Sequence, residues 1–384
     1  MLKVGIIGVG NTGNQIASLA KDKLDIPVMA INSSAKDLDT ISKGVEKYLL
    51  VNEEGVSQGA GKNRALAKKY LKDSIMKFLS DETAQKFPLD MDVVFIIGST
   101  GGGTGSGTAP ILLNVMAERY IDTHFILVGV GPVHSEALSA QVNTLEYLNE
   151  LYGNLPNATY MLYDNDNYAN DPSYKMMDKV NNEVVEDINV LRGFFNNATK
   201  YDSIDTEDNM RLVSFPGRIS VFRVENVREK DLDSGSLEER LIAAIKSSAH
   251  MELQRDKKVM ATGLIMNLSD QFMSEFNNHI PSVHEFIGEP VHEFLHVNVN
   301  TDRKQPNSIY LIMSGLSPVN DKIMKINERI EEIEERQRIQ MESMALDSDK
   351  LGQLGTMIGR NDGRVKDTEH TELNLGDIFG KFGM

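Results

Sequence analysis

An α/β fold is predicted for this chain of 384 residues: a parallel sheet with helices on both faces, a central core helix, a smaller second α/β unit and a long C-terminal helix. Three observations predict it. Short apolar runs alternate with amphipathic stretches through the first half of the chain, the pattern of strand–helix–strand units that build a parallel sheet. A stripe of Met176, Val180, Val184, Ile188 and Leu191, spaced 4, 4, 4 and 3, then marks a helix lying along a core. Beyond it the texture changes to longer strand-like runs with fewer helices between them.

In chain order, Lys3–Gly8, Pro27–Asn32, Asp92–Ser99, His124–Val130 and Thr159–Tyr163 read as buried strands, each rich in Val, Ile, Leu, Met or Phe and ending in Gly, Asn, Ser or Asp. Helical patterns at Asn63–Leu79 and Pro110–Tyr120 lie between them. The expected division is a Rossmann-like domain at 1–171, a bridging helix at 172–200, and a second domain at 201–318. Strands in the second domain are expected at Arg218–Val224, Val259–Leu268, His292–Val299 and Ser308–Gly315, with helices near Ser236–His250 and Asp270–Asn278. Ile323, Ile326, Ile330 and Ile333 then recur at helical spacing amid mixed charge, predicting a helix over 319–344 that docks on its own body or on a partner. Residues 345–384 have no sustained period and read as mostly disordered, with a short partner-binding motif at Leu373–Phe382.

Composition narrows the function. Asp plus Glu number 56 against 40 Lys plus Arg, a formal charge of −16, which argues against a surface that coats nucleic acid directly. There is no cysteine, so disulfides, thiolate catalysis and cysteine-ligated zinc are excluded. No apolar run is long enough for a membrane span, and the start MLKVGIIGVG reads as a first strand rather than a signal peptide. A cytoplasmic protein with no membrane contact is the expectation.

Two glycine loops carry the chemistry. Gly8-Val9-Gly10-Asn11-Thr12-Gly13 follows the first strand and opens a helix, the arrangement that brings phosphate against a helix N-terminus. Alone it suggests a dinucleotide-dependent oxidoreductase, but the second strand ends in Asn32-Ser33 rather than the ribose-binding acid of that class. The second loop, Gly101-Gly102-Gly103-Thr104-Gly105-Ser106-Gly107, follows the strand ending at Ser99. Its five glycines free the backbone to wrap an anion, Thr104 and Ser106 offer hydroxyl donors, and Thr108 and Pro110 read as a helix start. Two such loops on neighbouring strands suit a mononucleotide di- or triphosphate. No Walker A loop is present: Gly55–Lys62 has the wrong glycine spacing, with Asn63 where Ser or Thr is required.

The run Gly101–Gly107 resembles the signature of the tubulin/FtsZ superfamily, and over about residues 1–320 the chain is most like the TubZ-type plasmid and phage segregation tubulins. The resemblance implies a GTPase that binds GTP and GDP, uses Mg²⁺ and polymerises head to tail. By it Gly8, Gly10, Asn11 and Gly13 form the first nucleotide loop, and Asn32 and Ser33 the turn after the second strand. Gly59-Ala60-Gly61-Lys62 resembles the loop sensing the γ-phosphate, with Gly61 and Lys62 in contact, while Gly101 through Gly107 hold the β- and γ-phosphates. Pro132 and Glu136 stand in the ribose loop, where Ala140 replaces the arginine of FtsZ. Asn165 and Asn182 match two base-reading asparagines, an amide having both the donor and the acceptor that guanine's edge requires.

The catalytic half-site implied by the resemblance is Ser203-Ile204-Asp205-Thr206-Glu207-Asp208. It keeps two acids, Asp205 and Asp208, with Ser203 where the family has Asn; Glu207 substitutes if the alignment slips by one. These carboxylates would orient water for attack on the next subunit's γ-phosphate, or else serve only as an acidic helix start. The 319–344 helix favours a TubZ-type role, meeting DNA through a DNA-binding adaptor docked on the acidic surface or the tail. Asp377-Ile378-Phe379 keeps an FtsZ-like division role as the alternative.

Overall fold

In the computed structural model, residues 1–194, 204–227, 237–251, 259–270, 272–273, 284–285, 287–299 and 306–355 are described. Strand–helix alternation runs through the first half as β1 (Val4–Val9), α1 (Gly10–Leu24), β2 (Val28–Asn32), α2 (Ala35–Asp39), β3 (Glu46–Leu49), α3 (Arg64–Ser80), α4 (Glu82–Leu89), β4 (Val93–Ser99), α5 (Thr104–Arg119), β5 (His124–Gly131), α6 (Leu138–Asn154) and β6 (Thr159–Asp164). A 3₁₀ turn (Asn165–Tyr168) and α7 (Ser173–Leu191) follow. Then come α8 (Thr206–Ser214), β7 (Gly217–Val227), α9 (Leu237–Ser247), β8 (Ala261–Leu268), β9 (His292–Val299), β10 (Asn307–Leu316) and α10 (Asn320–Gly355).

The strands form one ten-stranded sheet in the order β3-β2-β1-β4-β5-β6-β7-β10-β8-β9. The first six are parallel, and β6 continues in parallel into β7 through Thr159 opposite Gly217 and Tyr160 opposite Arg218. Beyond that seam β10 runs antiparallel to both β7 and β8. Two units were expected to be joined by a helix; they share a sheet as well.

Alternate residues of each strand feed opposite faces, as the two-residue period dictates. Ile6, Val28, Phe95 and Val128 pack with Ile16 and Ala20 of α1 and Val180, Val184 and Ile188 of α7. This layer runs on without a break to Ile219, Val221, Ile265 and Ile312 in the second half. On the other face Ile7, Ile96 and Leu127 meet Phe78 of α3, Leu112 of α5, Leu148 of α6 and Ile326 of α10. The helix α7 is therefore a core element for the whole sheet. Its expected span of 172–200 is longer than Ser173–Leu191, and 195–200 lie outside the described residues.

Other differences have local causes. β3, with sequence EKYL, was not predicted: it is a half-exposed edge strand in which charges interrupt the apolar signal. The helix predicted from Pro110 begins at Thr104, because four of the signature residues, Thr104 to Gly107, form its first turn. Of Asp270–Asn278, Asp270, Phe272 and Met273 are helical, and the others lie outside the described residues. At the C-terminus the helix expected to stop at 344 continues to Gly355, since Ala345, Leu346, Lys350, Leu351 and Gln353 are good helix formers whether or not they share an apolar stripe. Residues Met1–Glu332 form one compact unit; those from Ile333 on belong to a second. The Leu373–Phe382 motif lies outside the described residues.

Candidate functional site

β1 sits between β2 and β4, so successive crossovers leave it toward opposite sides, and a crevice opens at the carboxyl ends of β1 and β4. Both glycine loops lie at that crevice. α1 and α5 start there without a side-chain cap and without an acid in the first turn. The N–H groups of Gly102 through Ser106 donate to no backbone acceptor among the described residues. Two unopposed helix N-termini side by side form a site for negative charge.

The glycines hold the loops together at least as much as they expose N–H groups. Gly10 has φ +72°, and a Cβ there would stand 2.9 Å from the backbone N of Gly105. A Cβ on Gly13 would run into the carbonyl oxygen of Ile97, and one on Gly103 into that of Gly61. Gly107 differs from its expected role: its N–H already donates to Gly103 O at 2.9 Å, and its Cα packs against the backbone of Arg64. The hydroxyls differ too. Thr104 Oγ1 lies 2.7 Å from Ser33 Oγ, and Ser106 Oγ donates to Gly102 O. Both side chains brace the loops from inside.

Among the remaining expected residues, the structure ties the 59–62 loop both to the end of β2 and to Glu136. Asn32 accepts from Ser34 N at 3.3 Å, and Ser33 O accepts from Gly59 N at 2.8 Å, tying the 59–62 loop to the end of β2. Gly61 has φ +56° and Lys62 Nζ meets Glu136 Oε2 at 3.3 Å, so the expected γ-phosphate and ribose loops touch. Asn11 accepts from Gln15 at 3.5 Å on the exposed side of α1. Asn165 opens the 3₁₀ turn after β6, and its Oδ1 is buried without a hydrogen-bond partner. Asn182 lies on α7, its Nδ2 donating to Asp178 O at 2.6 Å.

Residues that sequence reasoning passed over supply the bracing. Asn143 of α6 places its Nδ2 2.9 Å from Lys62 O, 3.0 Å from Gly102 O and 3.2 Å from Gly101 O, linking two loops through one amide. Arg64, 4% exposed, donates to Ser106 O at 3.0 Å, to Glu150 at 2.6 Å and to Glu146 at 2.9 Å. Arg64 follows directly on Lys62-Asn63, but neither it nor Asn143 stands in a motif, so only folding reveals them. No carboxylate lies in the first turn of α1 or α5.

Asp205 and Asp208 lie elsewhere. Asp205 is the N-cap of α8, its Oδ1 accepting from Asp208 N at 2.8 Å; Asp205 is exposed and Asp208 half-buried. Ser203 lies outside the described residues. Next to them, buried Asn209 donates to Leu191 O at 2.7 Å, fastening α8 to the last residue of α7. Arg192 O in turn accepts from Leu2 N at 2.8 Å, just before β1. The acids therefore sit by the amino ends of the strands, with the 19 residues of α7, about 28 Å of helix, between them and the crevice.

Fold and site define a nucleoside-phosphate-binding α/β protein. Residues 3–171 match the model of the tubulin/FtsZ family, GTPase domain. The chain is 23% identical to the tubulin-like protein TubZ of Clostridium botulinum C phage over 98% of its own length and 97% of that protein. The tubulin-like protein CetZ of Pyrococcus horikoshii is 30% identical over 38% of this chain and 40% of its own. Among solved structures, tail-truncated TubZ of Clostridium botulinum phage c-st shares the fold with a TM-score of 0.70 at 20% identity, covering 87% of this chain and 98% of that one. Residues 3–171 are a GTPase domain of the tubulin/FtsZ family, and along nearly its whole length the chain is similar to TubZ. Among the described residues no helix is long and apolar enough to cross a membrane.

Proposed function

We propose that this protein binds GTP in the crevice between α1 and α5, polymerises head to tail, and hydrolyses GTP only where one subunit's Asp205 and Asp208 meet the next subunit's nucleotide. The observation that carries the reading is the separation along α7: glycine loops at one end of the sheet, exposed Asp205 at the other. No subunit can bring its own acids to its own crevice, whereas a translational stack brings each pair to a neighbour. Solved relatives support it, among them a GTPγS-form protofilament and a two-stranded filament of Bacillus thuringiensis TubZ.

Within the crevice the first-turn N–H groups of α1 and α5 would bind the phosphates, Lys62 and Glu136 would face the γ-phosphate and ribose, and Asn165 and Asn182 would read guanine. Asp205 and Asp208 would orient the attacking water. On this reading 1–171 is the GTP-binding domain, 172–200 the bridging helix, 201–318 the activation domain, and 319–344 with the tail the contact region. The filament would segregate plasmid or phage DNA through a DNA-binding adaptor, since a surface of net charge −16 repels DNA itself. Similarity to phage TubZ along nearly the whole chain favours this over cell division.

Phosphate release measured against protein concentration, with sedimentation and electron microscopy in GTP, GDP and GTPγS, tests the reading. Turnover per subunit should rise above a critical concentration, with filaments persisting in GTPγS. Turnover strictly proportional to protein from the lowest concentrations overturns it.

A further inference from the structure

The first turns of α10 hold both walls that the proposed nucleoside site would use. Lys322 Nζ lies 2.7 Å from Asp164 Oδ2 and 2.8 Å from Asp166 Oδ2, the two residues that flank Asn165. Its side chain is only 12% exposed, so the ammonium is largely withdrawn from water and matched by two carboxylates. Asp166 also accepts from His134 N at 2.5 Å, and Arg329 Nε, two turns further along α10, donates to His134 O at 3.2 Å. His134 belongs to the Pro132–Glu136 loop. The helix itself is seated by Ile326, which is 2% exposed, and by Val319 N donating to Tyr152 Oη at 3.2 Å.

Between the two clamped aspartates, Asn165 Oδ1 is buried and accepts no hydrogen bond. A buried acceptor without a donor is costly unless a ligand supplies one, and the N–H groups on guanine's edge are donors. Asp164 shows that the clamp stores opposing tendencies: burial raises its carboxyl above the usual range, while Lys322 pulls it back.

We propose that Lys322 is a positioning residue for the nucleoside: it fixes the turn that aims Asn165 and, through Asp166, the ribose loop, so that nucleotide binding and the seating of α10 are linked. The inference rests on the guanine-nucleotide reading above. Linkage is reciprocal, so bound nucleotide must stabilise the start of α10 as much as the seated helix favours the nucleotide.

Calorimetric titration of the full chain with GDP and with inosine diphosphate, which lacks guanine's 2-amino group, tests it alongside hydrogen exchange over residues 320–330. Lys322→Met should weaken GDP by about tenfold, the scale of one hydrogen bond to a charged group. The preference for GDP over the inosine nucleotide should shrink, and Lys322→Arg should restore both. Arg329→Leu, which leaves both aspartates paired with Lys322, should act in the same direction more weakly. GDP should slow exchange at 320–330 in the wild type and not in Lys322→Met. Unchanged GDP affinity in Lys322→Met, or equal weakening of both nucleotides, overturns the proposal. Failure of the wild type to bind GDP overturns the guanine-nucleotide reading instead, and is seen before any substitution is made.

Discussion

Ser33 Oγ and Thr104 Oγ1 lie 2.7 Å apart, both buried, and tie the end of β2 to the first residue of α5. One hydroxyl donates to the other, which leaves a single proton for any further acceptor. Thr104→Val should therefore lower the melting temperature, because Ser33 then loses its partner inside the protein; a buried hydroxyl left alone costs ~1–3 kcal/mol. The double variant Ser33→Ala/Thr104→Val should recover part of that loss. Thermal melts of the two variants without nucleotide check this, and a further drop in the double variant would count against it.

The glycines of the signature divide by what surrounds them. A side chain on Gly13 meets the backbone of Ile97, and backbone cannot move aside, so Gly13→Ala should leave little folded protein. A Cβ on Gly102 meets only Ser99, at 3.8 Å, an ordinary contact. Gly102→Ala should melt within about 2 °C of the wild type, since surface changes free of clashes alter stability by only about 0.5 kcal/mol. Circular dichroism on both variants separates packing glycines from those left for a ligand.

Asp205 combines a capping bond with a carboxylate in the proposed half-site, and the two can be separated. Asparagine caps a helix as well as aspartate does, whereas alanine loses ~1 kcal/mol. Asp205→Asn should keep the melting temperature and lower polymer-dependent GTP turnover at least tenfold, while Asp205→Ala should lower both. Equal turnover in Asp205→Asn and wild type would show that the charge plays no part.

Burial lowers the pKa of His124 from 6.5, partly offset by a hydrogen bond to the Val213 backbone. The unfolded chain then takes up a proton at higher pH than the folded one, so the contribution is fully favourable above pH 6.5 and is lost as pH falls below it. Asp164 and Glu183, whose carboxyls burial raises, act in the opposite sense in the range just above 4. The difference between wild type and His124→Gln isolates the imidazole: wild-type melting temperature should fall more steeply below pH 6.5 than that of the variant.

Much of this architecture was legible in the sequence. The buried strands β1, β2, β4, β5 and β6 begin and end within a residue of their apolar runs, because a strand covered on both faces must be apolar throughout. The edge strand β3 lacks that requirement and was missed. Local patterns could not show that β6 and β7 pair, since two register pairs leave no trace in composition. The start of α5 was misplaced because glycine, a poor helix former, is tolerated where Gly105 and Gly107 must lie against neighbouring backbone. Asn143, Arg64 and Lys322 act on loops 41 to 158 residues away in sequence, and such contacts exist only after folding.

The 19 residues of α7 give an assembled chain of such subunits two chemically different tips. At one tip a loaded crevice would have no acids above it; at the other a pair of acids would face no nucleotide. If the proposed split site holds, a stack of n subunits would enclose n − 1 complete reaction centres, and the nucleotide in its last open crevice would be out of reach of any acids. Direction, age and end identity would then be written into the polymer by the length of a single helix.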